Sequence, residues 1–312
     1  MGFIGHNVVS KLEDLDHEVL IVDNMTTYGI IPQDELDYII DERVKKIYSV
    51  CQWHNIANRG AIDHIFDTFE PEIVIHLASF PRQKVVNSDP ALGARTMMEG
   101  LLNLCEASKK HGVSKFVYIS SSMVYGDFND GVTEDAVCNP QGQYGIMKLA
   151  GEWLVKDYSR KHDFDHVIIR PSAVYGPLDI ENRVVSKFML AAMQGGNLSV
   201  NGAEEALDFT YVDDTAEGIV AATLSDTTNN KTYNITKSHS ITLLDTAKLI
   251  VKIAGKGTID IKDRDPDFPS RGALNVDAAK RDFGFNPKVD IEEGFNLYYE
   301  WLSKSTYWSK FV

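Results

Sequence analysis

The sequence predicts a doubly wound α/β fold, a parallel sheet with helices on both faces, extended on its C-terminal side by a smaller α/β lobe. Three observations predict it. Short, continuously apolar runs recur at residues 17–23, 72–77, 115–120 and 166–170, as a strand buried on both faces requires, since neither face meets water. Helical stretches, among them 91–111 and 144–162, separate these runs into repeated βαβ units. The glycine pair of Gly2-Phe3-Ile4-Gly5 leads into a helix expected over 6–14, and the following apolar run ends on a carboxylate, Asp23.

A chain of 312 residues is long enough for one large core and an appended lobe. After Arg170 the βαβ rhythm breaks into stretches rich in Pro, Gly and Asn. The expected division is therefore a dinucleotide-binding domain over 1–170, to which 207–236 returns, and a substrate-binding lobe made of 171–206 and 237–312. With 44% hydrophobic and 24% charged residues the composition is that of a globular protein, and no apolar run approaches the roughly 20 residues that cross a bilayer, so no membrane association is expected. The net charge of -14, from 45 acidic against 31 basic residues, repels a polyphosphate backbone. Nucleic acid is thereby disfavoured, although a local basic pocket can still hold one pyrophosphate. Cys51, Cys105 and Cys138 are too few and too scattered for a disulfide framework, and no basic-then-apolar leader opens the chain, which points to a reducing cytoplasm. Its histidines and cysteines show no metal spacing, so no metal is expected.

In a glycine-rich turn the absent side chains let the backbone approach a pyrophosphate, while the helix N-terminus that follows supplies N–H donors and a positive dipole. Asp23 stands where a carboxylate accepts both adenosine ribose hydroxyls; the same charge repels a 2′-phosphate, so the expected cofactor is NAD rather than NADP. The strand that precedes such a turn, and the turn's first glycine, do not stand in the sequence. In a doubly wound sheet that strand lies in the middle, and the expectation is that about ten residues, one short strand and the start of the turn, belong ahead of Met1.

Further along, Ser120-Ser121-Ser122-Met123-Val124-Tyr125-Gly126 follows an apolar run, and Tyr144-Gly145-Ile146-Met147-Lys148 opens a helix. Residues four apart share a helix face, so Tyr144 and Lys148 can meet. A free phenol titrates near ~10. An ammonium beside it and an oxidised nicotinamide nearby are expected to lower that value toward working pH, making Tyr144 a base for a sugar hydroxyl.

On these residues the chain resembles the extended short-chain dehydrogenases/reductases of the NAD-dependent epimerase/dehydratase family, whose fold is Rossmann-type. The motifs run nearly end to end: Gly2-Phe3-Ile4-Gly5, Asp23-Asn24, His76-Leu77-Ala78, SSSMVYG, YGIMK, Arg170-Pro171 with Val174-Tyr175-Gly176-Pro177, then Asp208-Phe209-Thr210-Tyr211-Val212-Asp213-Asp214, and Phe283-Gly284-Phe285-Asn286-Pro287. The resemblance implies Ser121, Tyr144 and Lys148 as the catalytic set. It implies an NAD site made of Gly2, Phe3, Ile4, Gly5, Asp23, Asn24, Asn55, Ile56, Leu77, Ala78 and Ser79 with Tyr144 and Lys148, in which Asn55 replaces an adenine-contacting Asp. For the nucleotide sugar it implies Lys84, Ser122, Met123, Tyr175 and Arg271, the last a pyrophosphate grip of bidentate geometry. Ala173 and Leu207 stand where relatives carry an Asn and an Arg for the substrate. A homodimer through the helices at 91–111 and 144–162 is implied as well.

Family members oxidise the sugar at carbon 4 and then diverge. Dehydratases carry acidic residues in the stretch that here reads Ser121-Ser122-Met123, and a thioether moves no proton. The expected reaction is therefore 4-epimerisation, through a 4-keto sugar that takes hydride back on its other face. Reduction of a keto sugar is the runner-up, and a non-catalytic NAD-binding module the reading from another class. His76, Met97 with Met98, and Cys138 are expected to serve packing rather than chemistry.

Overall fold

The computed structural model describes residues 2–26, 31–80, 82–179 and 183–309. Met1 and the 180–182 part of the proline-rich stretch lie outside them. The first half of the chain alternates as expected: α1 (Phe3–Glu13), β1 (Ile21–Asp23), α2 (Gln33–Val44), β2 (Cys51–Trp53), α3 (Arg59–Phe69), β3 (Ile73–His76), α4 (Gln83–Ser88), α5 (Pro90–Ala94), α6 (Gly100–His111), β4 (Lys115–Ile119), α7 (Gly142–Lys161) and β5 (Asp165–Pro171). Then follow β6 (Val174–Tyr175), α8 (Val184–Met193), β7 (Asn197–Asn201), β8 (Ala206–Asp208), β9 (Thr210–Tyr211), α9 (Val212–Leu224), β10 (Lys231–Ile235), β11 (Ser240–Thr242), α10 (Leu243–Ala254), β12 (Thr258–Lys262), α11 (Asp277–Phe283) and α12 (Ile291–Lys304).

Local chemistry sets the ends of these elements. Asn58 caps α3 by accepting the Ala61 N–H, satisfying one of the donors a helix start leaves over. Gly112, at φ 68°, closes α6 in the left-handed conformation that glycine adopts without a Cβ penalty. Between α5 and α6 a π turn over Arg95–Glu99 tips buried Met97 toward Phe80, Val86, Met123 and Tyr144. A bulge of this kind re-aims a helix face, and Met97 packs there as expected.

The main sheet runs β10-β5-β4-β3, all parallel. β1 and β2 form a separate parallel pair. Among the described residues β1 has no ladder partner but β2, and β3 none but β4, so the layer is in two parts. Two other expectations are corrected here. Of the run at 17–23 only Ile21–Asp23 is strand, the three residues that pair with Cys51–Trp53 of β2. The first helix starts at Phe3, not His6, since the His6 N–H already donates to the Gly2 carbonyl at 3.2 Å.

Helices cover both faces of the sheet. Val117, Ile119, Val167 and Ile169 pack on the α1/α9 side; Phe116, Tyr118 and Ile168 pack with Leu101, Leu104 and Val155 on the other. β10 returns to lie beside β5. A second core joins α8, α10 and α12 to β7 through Phe188, Met189, Leu198, Ile250 and Phe295. Helix α7 lies close on β4 because Gly151 has no side chain: a Cβ there would stand 2.2 Å from the Tyr118 hydroxyl.

One buried ion pair locks α7 to the sheet. Arg170 at the end of β5 grips Glu152 of α7 at both oxygens, Nε to Oε1 at 2.9 Å and Nη2 to Oε2 at 2.7 Å, with the two side chains 4% and 1% exposed. Ser120 donates to the same Oε1 at 2.5 Å, and Arg170 Nη1 donates to the Tyr125 hydroxyl at 2.9 Å. Replacing Glu152 by Ala would leave the guanidinium buried without its carboxylate, which costs about 3–5 kcal/mol. Urea denaturation should show this as a lowered midpoint at unchanged slope; an unmoved midpoint contradicts the structural role.

Candidate functional site

A cavity of about 1200 Å³ opens at the carboxyl ends of the strands and extends between the two halves of the sheet. Every residue named above for cofactor, chemistry and substrate lines it. They nevertheless do different things there.

The cofactor end starts at α1. A Cβ built on Gly2 or Gly5 would meet nothing within 4 Å, and no side chain caps the helix start. Asp23 Oδ1 accepts the Met25 N–H at 2.7 Å and Asn24 Oδ1 the Thr26 N–H at 3.0 Å, two local bonds that shape the turn after β1. Asn55 Oδ1 likewise accepts the Ala57 N–H at 2.9 Å, and the residue lines the cavity. Ile56 packs against Gly100, its carbonyl taking the Asn103 amide at 2.9 Å. Leu77, Ala78 and Ser79 follow β3 along the cavity wall. His76 is buried beneath them, its ring stacked on Tyr118 at 5.7 Å and its pKa lowered to about 3 by burial, which makes it a neutral packing residue. Open glycines, an uncapped helix start and a carboxylate on one wall fit a dinucleotide.

At the chemical end, Ser121 is extended and accepts the Met123 N–H at 3.2 Å, opening the 3₁₀ turn Ser122–Val124. Its hydroxyl faces the Tyr144 phenol closely enough to favour the phenolate. Lys148 Nζ donates to the Ile119 carbonyl at 2.7 Å and lies 5.9 Å from the centre of the Tyr144 ring. The strand end, the serine turn and the first turns of α7 thus meet at one point. One expectation is corrected: in the protein by itself the Tyr144 phenol is raised above its ordinary value, by burial, with Ser121 and Arg183 pulling the other way. The ammonium that was to lower it is itself disfavoured. Burial brings Lys148 down to about 7, with Glu152 the charge that opposes the shift.

The substrate residues divide. Met123 is buried against Tyr144, Phe80 and Met97. Arg271 Nη1 stands 3.7 Å from its sulfur, its Nε is buried without an acceptor among the described residues, and burial lowers its pKa to about 10. A buried guanidinium lacking a close carboxylate suits an anion. Lys84 is engaged elsewhere, paired to Asp265 at 2.6 Å above the Phe268 ring. Ser122 bonds to Ser172 at 3.2 Å. Tyr175 packs its ring among Phe209, Tyr211 and Phe295, so its main partners are core aromatics. Ala173 holds a positive φ of 33° and Leu207 is buried in the second core.

Sequence reasoning missed what positions Arg271. Asp127 Oδ1 accepts the Ser270 N–H and Asp130 Oδ1 the Ala273 N–H, both at 2.7 Å, while Phe128 donates to the Ser270 carbonyl at 3.0 Å. The loop that follows SSSMVYG therefore clamps the loop carrying Arg271. Asp208 adds the Leu274 N–H at 3.0 Å from a buried position where desolvation raises its carboxyl to about 6. Asp127, directly after Gly126, and Asp130 three residues further on were the available signal.

Comparison with known proteins agrees with this arrangement. Residues 1–236 match the NAD dependent epimerase/dehydratase family. The chain is 26% identical to an uncharacterised UDP-glucose epimerase, YtcB, of Bacillus subtilis (strain 168), covering 97% of this chain and 95% of that protein. It is 27% identical to a dTDP-glucose 4,6-dehydratase of Neisseria meningitidis serogroup B, covering 98% and 92%. The crystal structure of UDP-glucose 4-epimerase with UDP-glucose from Thermotoga maritima superposes with a TM-score of 0.87 at 28% identity, over 97% of this chain and 96% of that one. The chain therefore belongs to the NAD-dependent epimerase/dehydratase family, enzymes of nucleotide sugars built on a Rossmann fold.

Proposed function

We propose that this protein is a nucleotide-sugar 4-epimerase, with Ser121, Tyr144 and Lys148 as its catalytic residues and the cavity residues named above as its NAD and substrate contacts. The observation that carries the reading is Met123, a buried thioether against the Tyr144 ring in the stretch where dehydration requires a proton donor. Bound NAD supplies the hydride acceptor and then the hydride donor. The residues of the chain handle the proton. Ser121 and Tyr144 grip the carbon-4 hydroxyl, Lys148 in its ammonium form stabilises the Tyr144 phenolate, and that phenolate takes the hydroxyl's proton and becomes the phenol. The same phenol returns the proton once the keto sugar has presented its other face. Arg271 holds the pyrophosphate while the sugar turns. Residues 1–170 with 207–236 form the cofactor domain in this reading, and 171–206 with 237–312 the substrate lobe.

Tyr144→Phe keeps the ring and its packing but removes the proton carrier, so turnover should fall by about 10²–10⁴-fold at unchanged thermal stability. Incubation with UDP-, GDP-, CDP- and dTDP-hexoses, read by NMR, should give the 4-epimer from the wild type; a 4-keto-6-deoxy product, or full activity in the variant, contradicts the proposal.

Lys148 generates a pH signature. Its folded pKa is lowered to about 7 against an unfolded value near ~10.4. Between those values the unfolded chain holds the extra proton, so this group makes stability rise with pH, by up to about 1.4 kcal/mol per unit, and its contribution is lowest below 7. Lys148→Met should remove that slope. Chemical denaturation of both proteins between pH 7 and 9 tests this, and parallel curves would refute it.

The proposal extends to a cytoplasmic homodimer. Leu102 on α6 and Ile146 and Trp153 on α7 are 37%, 53% and 66% exposed, and apolar residues left bare on neighbouring helices support a paired face. Sedimentation should give twice the chain mass for the wild type and a monomer for a Trp153→Glu, Ile146→Glu double variant; a monomeric wild type refutes the pairing.

A further inference from the structure

Resting on the reading of the protein as a nucleotide-sugar 4-epimerase, we infer that its substrate is a nucleotide-linked uronic acid, whose carbon-6 carboxylate is held by Arg183 and Lys187 at the start of α8. The chain carries a net charge of -14, yet Arg82, Lys84, Arg183, Lys187 and Arg271 all line one end of the cavity. The carboxylates at that end are Glu205 and Asp265; the others of the lining stand on or just ahead of β1 and just ahead of β3. A positive wall in an acidic protein focuses its field on an anion.

Both acidic groups are already engaged. Asp265 is paired to Lys84 at 2.6 Å and Glu205 to Arg264 at 3.4 Å, so neither Arg183 nor Lys187 is in an ion pair with a described carboxylate. Arg183 donates from Nη1 to the Val174 carbonyl at 3.1 Å, a bond that orients the guanidinium without neutralising it. Lys187 stands one helical turn on, its N–H donating to the Arg183 carbonyl at 2.9 Å, and residues four apart share a helix face. Partial burial, then the charges of Arg82 and Lys84, lower the Lys187 amine, so cations of α8 and of the loop after β3 lie within electrostatic reach of one another. Like charges gathered in this way repel, and an anion seated among them removes the repulsion.

The sugar ring decides which anion this is. Its diphosphate is attached at carbon 1, across the six-membered ring from carbon 4, and in the proposed reaction Arg271 takes that diphosphate. Arg183 acts at the other end: its charge reaches the Tyr144 phenol and favours the phenolate, so it lies near the carbon that Tyr144 serves. Of the ring positions beside carbon 4, carbon 5 is the one that bears an exocyclic carbon, and the oxidised form of that carbon is a carboxylate. A guanidinium meets both oxygens of a carboxylate with paired N–H donors, and an ammonium adds a point charge. Phe80 and Met123 line the cavity beside Tyr144 and give the ring an apolar floor that leaves the charge to α8. A neutral hexose, held at Arg271 alone, binds more weakly.

Matched ligands that differ only at carbon 6 test this: UDP-glucuronate against UDP-glucose, dTDP-glucuronate against dTDP-glucose, and GDP-mannuronate against GDP-mannose. Each is titrated calorimetrically, with NAD present, into the full chain carrying Tyr144→Phe, so that no turnover enters the signal. On the nucleotide that binds, the uronate should be tighter by at least about tenfold, the worth of one charge-assisted contact. Adding Arg183→Gln and Lys187→Gln should bring the ratio of the two affinities to about one; where these changes disturb folding, the ratio in the Tyr144→Phe parent decides by itself. Binding of no uronate, equal or weaker binding of every uronate, or a preference that survives both changes would overturn the inference. Because binding is read without proton transfer, a failure here leaves 4-epimerisation of neutral hexoses standing, and a failure of that reaction leaves the affinity ratio readable.

Discussion

The Arg170–Glu152 pair is the constraint on which the site depends. Arg170 ends β5, Glu152 lies two turns into α7 from Tyr144, and Ser120 ends the run of β4. Two charges taken out of water are costly unless each is fully bonded. Here the guanidinium meets both carboxylate oxygens and the Tyr125 hydroxyl, which in turn donates to Asn234 of β10 at 2.8 Å. That one network fixes the angle of α7 on the sheet, and with it the distance between Lys148 and the strand end that holds Ser121. The closeness of helix and sheet at Gly151 permits this arrangement; the ion pair makes it specific.

Burial then has a chemical consequence. Desolvation pushes the Tyr144 phenol up and the Lys148 amine down, so the protein alone favours both in their neutral forms. A proton moved from phenol to amine creates two charges that stabilise each other in the same dry space, where attraction is stronger than in water. The pair is thus poised to hold a proton at either end, and the charge state of whatever lies against it decides which. Arg271 repeats the pattern: a guanidinium kept in a buried position with no close carboxylate is held ready for an anion.

Fold class and the meeting of Ser121, Tyr144 and Lys148 were legible in the sequence because both rest on local pattern. Apolar runs report strands buried on two faces, and the four-residue spacing of Tyr144 and Lys148 reports a shared helix face. Long-range chemistry was not legible. Nothing local to Glu152 says that its partner is Arg170, and nothing in Asp127 or Asp130 says that their carboxylates receive the backbone around Arg271. Nor was the partner of Lys84 legible: its ammonium is held by Asp265, 181 residues away. Direction of pKa shift also escaped the sequence, because it depends on burial, which only the assembled cavity determines.

The two ends of the cavity differ in how they are supported. Ser121 stands just beyond β4 and Tyr144 and Lys148 on α7, beside the continuous part of the sheet, in which β4 is paired on both edges. Asp23 and the start of α1 stand on the other side of the split, where α1 is held mainly by its packing on α9 through Val8, Leu12, Ile219 and Val220 and β1 by three residue pairs with β2. Order in a sheet propagates through its ladders. The chemical end is therefore the more firmly braced of the two, while the cofactor end of the proposed reaction depends for its position on helix packing.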